Sequence, residues 1–157
     1  MAYWQFSFWA IPKKSLLDKY SNIPNKITEE DFNSVDWFIN YSSESFLNSI
    51  DYLTENQHWN KDTIFLGDYD SNSIAISYDN MNKLIVEIYF RIDLRGNYEY
   101  IVKNMLNSLC LGNLIIFDEN LEKVRQTYDG LMSKLKFVID QKKLVEYRLL
   151  YSSTSKY

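Results

Sequence analysis

The sequence predicts a single α+β domain over residues 1–157, an antiparallel or mixed β-sheet with helices packed mainly on one face. Three observations predict it. In 84–95, Leu84, Val86, Ile88, Phe90, Ile92 and Leu94 are apolar. Glu87, Tyr89, Arg91, Asp93 and Arg95 interleave with them, and only Ile85 breaks the pattern. A strand sends alternate side chains to opposite faces, so this stretch has a dry side and a wet side. Two shorter runs, 63–67 and 73–78, precede it across turn-forming residues and make an antiparallel meander. Amphipathic runs of helical period fall between the strands, which suits helices laid on a sheet. At 157 residues the chain buries about 70% of its unfolded surface as one domain.

The elements follow in order. Residues 3–11 read as a strand, with Trp4, Phe6, Phe8 and Ala10 on one face and Tyr3, Gln5, Ser7 and Trp9 on the other. Pro12 ends it, since proline cannot donate to a ladder. A short helical turn over 15–20 comes before Pro24. Thr28 to Asp31 fits a capping box, with Asp31 expected to reach back and Phe32, Val35, Phe38 and Ile39 forming the helical stripe. A second helix is expected over 43–56, with Phe46, Leu47, Ile50 and Leu53 inward. Asn97 opens a helix over 98–111 whose buried stripe is Ile101, Val102, Met105, Leu106, Leu109 and Cys110, and Gly112 stops it. Residues 114–117 form a short strand, with 121–124 returning beside it. A helix starts at Thr127 or Asp129. In the tail, Val145, Tyr147, Leu149 and Tyr151 alternate, and a strand is expected over 144–151.

Composition narrows the compartment and the partner. Cys110 is the only cysteine, so no intramolecular disulfide forms, and a reducing, cytoplasmic setting is expected. The aromatic N-terminus has no preceding basic region, and its lysines follow the apolar run, so it does not read as a signal peptide. No stretch approaches the ~20 apolar residues of a membrane span. The net charge is −4, but residues 27–79 hold eleven carboxylates against Lys61 alone. Such a segment repels nucleic acid and attracts basic proteins. It equally suits solvated helix faces.

No familiar catalytic constellation stands out. His58 is the single histidine, and a general base needs a partner such as Asp62 or Glu55 to orient it. Asp68, Asp70, Asn72 and Asp79 imitate a calcium loop, but Ser73 stands where glycine belongs and Asp79 where a bidentate glutamate belongs. A hairpin turn is the expectation there. Glu87 and Asp93 share a strand face, yet Arg91 and Arg95 beside them point to ion pairs. No catalytic residue, metal ligand or cofactor is therefore assigned.

The order of elements (an aromatic first strand, acidic helices, a strand ending Arg91-Ile92-Asp93-Leu94-Arg95, an amphipathic helix, a short strand) resembles small bacterial immunity proteins of polymorphic or contact-dependent toxin systems. The resemblance implies a cytoplasmic, non-enzymatic inhibitor that binds a cognate basic toxin protein, often a nuclease domain. The expected partner-binding residues are Asp36, Glu44, Asp51 and Glu55 on the helices, and Asp68 and Asp70 in the turn. Glu87, Tyr89, Arg91 and Asp93 on the long strand complete the set. Two other classes stay open: a small enzyme or ligand-binding domain using the polar face of 84–95, and a self-associating assembly subunit.

Overall fold

Period-two alternation builds a sheet here, and period-3.6 stripes build the layer that covers it. The computed structural model describes residues 4–154. In chain order, β1 (Gln5–Pro12) runs into α1 (Lys13–Tyr20), followed by α2 (Glu29–Ser34) and α3 (Glu44–Asn48). The meander is β2 (Glu55–Asn56), β3 (Thr63–Gly67), β4 (Ser73–Tyr78) and β5 (Ile85–Asp93). Then come α4 (Tyr98–Leu111), β6 (Leu114–Phe117) and α5 (Tyr128–Thr154). The six strands form one open sheet ordered β2-β3-β4-β5-β1-β6, antiparallel throughout. The α+β expectation holds. Among the described residues, no helix is long and apolar enough to cross a membrane.

The register shows which side chains share the dry face. Phe8 lies opposite Phe90, which lies opposite Ile74, which lies opposite Leu66; Ile88, Ile76 and Ile64 form the next row. Phe8, Phe90, Ile74, Ile76 and Ile88 are all at most 2% exposed. Phe46 of α3 meets Phe90 edge-on at 6.2 Å. Val102, Met105 and Leu109 of α4 and Leu131 and Leu135 of α5 complete the core. A Cβ on Gly112, just past α4, would come within 2.9 Å of both Phe46 Cβ and the Tyr41 hydroxyl. Its backbone is right-handed (φ −81), so glycine is needed here for close approach.

Both sheet edges are finished. Beside β6, the Gln126 amide donates to the Leu114 carbonyl at 2.8 Å and accepts from the Ile116 N–H at 3.3 Å, standing in for a further strand. At the other edge, β2 is only two residues long and carries Glu55. Short or charged edges discourage pairing with another chain.

Several expectations need correction. β5 carries a bulge: Ser77 faces Glu87 but Tyr78 faces Ile85, leaving Val86 without a partner. The extra residue flips the alternation, so Ile85 is buried while Val86 (53%) and Leu84 (50%) are exposed. Asp93, expected on the wet side, is 2% exposed. Thr28 does cap α2, accepting the Asp31 N–H at 3.1 Å. Asp31 does not reach back; its carboxylate takes the Tyr20 hydroxyl and Lys19 instead. α2 stops at Ser34, where Val35 turns extended (φ −90, ψ 130), and α3 stops at Asn48, ahead of the segment whose Glu55 and Asn56 pair with β3. Asp36, Asp51 and Glu55 are therefore not helical. Residues 121–124 do return beside β6 as expected, through the antiparallel Phe117–Lys123 bridge and the Val124 N–H bond to the Ile116 carbonyl, without forming a named strand. The tail expected as a strand continues α5 to Thr154. Cys110 is exposed, on the rim of α4's stripe. Tyr3 lies outside the described residues.

Candidate partner-binding face

The sheet's second face is half-open. Register sets Trp9, Tyr89, Ala75 and Phe65 in one row across β1, β5, β4 and β3. Ser7, Arg91, Ser73 and Gly67 form the row on one side, and Glu87, Ser77 and Thr63 the row on the other. Three strand spacings of ~4.8 Å separate the backbones of Trp9 and Phe65 by roughly 14 Å. The floor between them is small-chained on β4, at Ser73, Ala75 and Ser77.

Aromatic rings wall both sides of that floor. On one side, Phe32 of α2 packs edge-on against Trp9 at 5.6 Å, and Trp9 meets Tyr89 at 5.4 Å. On the other, Tyr69 stacks on Phe65 with centroids 4.3 Å apart and planes 14° apart. His58 lies 5.5 Å from Phe65 and 5.9 Å from Tyr69, and Trp59 follows 5.1 Å beyond the imidazole. Trp59 is 84% exposed. Ring pairs in such offset or edge geometries gain beyond their buried area.

Polar side chains fix the face from beneath. Trp9 Nε1 donates to Glu87 Oε2 at 3.2 Å, and the Tyr89 hydroxyl donates to Ser7 Oγ at 2.5 Å. The β3–β4 turn is drawn down by its carbonyls. Arg91 Nη1 donates to Tyr69 O at 2.5 Å, while Gln5 Nε2 and Arg95 Nη2 donate to Asp70 O at 3.1 and 2.9 Å. Arg91 Nε is buried with no acceptor. Asp93 accepts Arg95 Nε, Arg95 Nη2 and the Arg95 backbone N–H. These bonds outweigh burial and hold its carboxyl below the usual range.

The expected residues divide between the two sides of the sheet. Glu87, Tyr89 and Arg91 occupy the half-open face, and Asp68 and Asp70 lie exposed on the turn folded against it. Asp36 lines a cleft of about 260 Å³ at its margin, together with Trp9, Phe32, Val86 and Glu87. Asp93 shares the face but is committed to Arg95. Glu44 is on α3, which packs on the opposite, helical side; Asp51 follows α3, and Glu55 marks the sheet edge. Asp36, Glu44, Asp51, Glu55, Asp68 and Asp70 form no ion pair among the described residues.

His58 accepts the Asn60 N–H on Nδ1 at 3.0 Å and takes no carboxylate partner among the described residues. No cluster of three or more His, Cys, Asp or Glu residues placed for a metal occurs among them either. Sequence reading passed over Trp9, Phe32, Trp59 and Tyr69. The single signal for them is the chain's aromatic surplus, 13 Tyr, 9 Phe and 4 Trp. No protein-family model, curated protein or solved structure matches the chain. The immunity-protein resemblance therefore rests on the order of elements alone.

Proposed function

We propose that the protein is a non-enzymatic inhibitor, an immunity protein that neutralises a cognate basic toxin domain in the cytoplasm through the half-open sheet face. The observation that carries this reading is one of charge placed beside aromatic area. Asp36, Asp68 and Asp70 border the face without ion partners among the described residues. Trp9, Tyr89, Tyr69 and Trp59 supply the large amphipathic rings that interfaces favour. Uncompensated carboxylates steer a basic partner and speed encounter, and rings at the centre of a contact slow its departure.

The test is stopped-flow association with a basic toxin domain encoded beside this chain, from 0.01 to 0.15 M salt. Across that range the screening length falls from ~30 to ~8 Å. The association rate should fall steeply with salt. Reversing Asp36, Asp68 and Asp70 to lysine should slow association by about tenfold or more at low salt. Reversing Glu44 and Asp51, on the helical side, should change it less than about twofold. Equal effects from the two sets, or a rate flat with salt, would remove the face from the mechanism.

A second reading has one specific support. Arg91 is half-buried and its buried Nε lacks an acceptor, so a small carboxylate-bearing ligand able to part the side chains over it would gain a charge-assisted donor. Calorimetric titration with acetate, succinate and citrate separates this from protein binding: a saturable heat lost in Arg91→Gln favours the ligand.

A further inference from the structure

We infer that the outer face of Trp59 is a docking platform for an arginine side chain of the partner; this rests on the reading of the protein as a binder of a basic protein. The platform is the outermost member of a four-ring cluster in which Phe65, Tyr69 and His58 pack mutually at 4.3, 5.5 and 5.9 Å and Trp59 lies 5.1 Å beyond His58. Trp59 is 84% exposed, while Phe65 at the root of the cluster is 4% exposed. The rings thus run from the sheet outward to water.

The cluster is built before any partner arrives. The Asn60 N–H holds His58 Nδ1 at 3.0 Å, and the Tyr69 hydroxyl donates to the Gln57 carbonyl at 3.2 Å. The first bond braces the 57–60 loop internally, and the second ties it to the β3–β4 turn. Arg91, Gln5 and Arg95 hold the turn itself through the carbonyls of Tyr69 and Asp70. A platform fixed in advance loses little conformational freedom on binding.

Charge favours a cationic occupant: the exposed carboxylates of Asp68 and Asp70 on the turn outnumber the exposed Lys61 that follows Trp59. Planar guanidinium stacks on indole and keeps its edge free for carboxylates, which a compact ammonium does less well. Asp68 and Asp70 flank Tyr69, are exposed, and stand in no ion pair among the described residues. Arg95 feels Asp70 but is engaged with Asp93. A phosphate-rich ligand would meet those carboxylates as repulsion. A neutral sugar would stack on the indole without gaining from them.

The experiment follows the Trp59 indole N–H by NMR while blocked tri-arginine, tri-lysine, tri-glutamate and methyl glucoside are added separately to the full chain. Tri-arginine should give a saturable shift at millimolar concentration, roughly two- to fivefold tighter than tri-lysine. Asp68→Asn with Asp70→Asn should weaken it severalfold, and Trp59→Ala should abolish the accompanying shifts of Tyr69 while leaving the thermal midpoint unchanged. Equal affinity for tri-lysine, tighter binding of the glucoside, or no saturable response to tri-arginine would each overturn the platform. A basic partner that binds Trp59→Ala at full strength would also overturn it and leave the wider binding reading standing. A tri-arginine response with no basic partner binding would do the reverse.

Discussion

Truncating three neighbouring side chains of β5 to alanine, one at a time, tests the bulge at Val86. Phe90 is 1% exposed, sits between Phe8 and Ile74 in the sheet, and meets Phe46 from above. Phe90→Ala should cost about 3–5 kcal/mol, the transfer of the ring plus the cavity it leaves. Ile85, 8% exposed, should cost about 2–4 kcal/mol on the same grounds. Val86, 53% exposed and unpaired at the bulge, should cost below about 0.5 kcal/mol. An unbroken alternation through 84–95 would reverse the order of the last two. Guanidinium unfolding followed by circular dichroism measures all three, and at about 2–4 °C per kcal/mol the Phe90 variant should melt roughly 6–20 °C lower. If Val86→Ala destabilises more than Ile85→Ala, the register of β4 against β5 is wrong.

Three further outcomes are expected. Asp93 and Asp31 have folded pKa values lowered by their hydrogen bonds, so their stabilising contribution is complete above about pH 5 and is lost as pH falls through and below ~4. Asp93→Asn should flatten unfolding free energy against pH in that window, and an unchanged slope would assign the acid sensitivity elsewhere. Cys110, exposed on α4, should react in the native protein with one equivalent of Ellman's reagent at close to the rate of the unfolded chain; a rate slowed a hundredfold would return it to the core. Gly67 has φ +99, and a Cβ there would lie 2.2 Å from the Asn72 carbonyl oxygen. Gly67→Ala should therefore cost about 1–3 kcal/mol in the same denaturant assay, and a neutral result would mean the hairpin has another conformation.

What the sequence displayed was local, and what it hid was pairing across distance. α4 occupies the expected 98–111, because its stripe and its stop at Gly112 lie within a few turns of each other, although the Asn97 side chain makes no capping bond. β3, β4 and β6 likewise occupy their expected spans. The stripe at Phe46, Leu47, Ile50 and Leu53 is buried or partly buried as a helix would bury it. Glu55 and Asn56 nonetheless pair with Leu66 and Phe65, and that competition is not visible within 43–56. In the tail, alternation over four residues was weak evidence beside a helix already started at Thr127, whose hydroxyl accepts the Gly130 N–H. Asp93 reads as solvent-facing until Arg95, two residues on, is seen to enclose it. The aromatic walls are the plainest case: His58 meets Phe65 and Tyr69 only because a hairpin folds back on the loop before it.

Gln126 leaves one edge of the sheet with an unusual fragility. Two backbone groups of β6 are answered there by one uncharged side chain. Exchanging its nitrogen for oxygen, as in Gln126→Glu, would point a lone pair at the Leu114 carbonyl and prise the cover away. The Leu114 carbonyl and the Ile116 N–H would then be left unpaired at the end of β6, the kind of open edge that invites a second chain. The Val124 N–H bond to the Ile116 carbonyl and the Phe117–Lys123 bridge still cover the rest, so the opening is confined to those two groups.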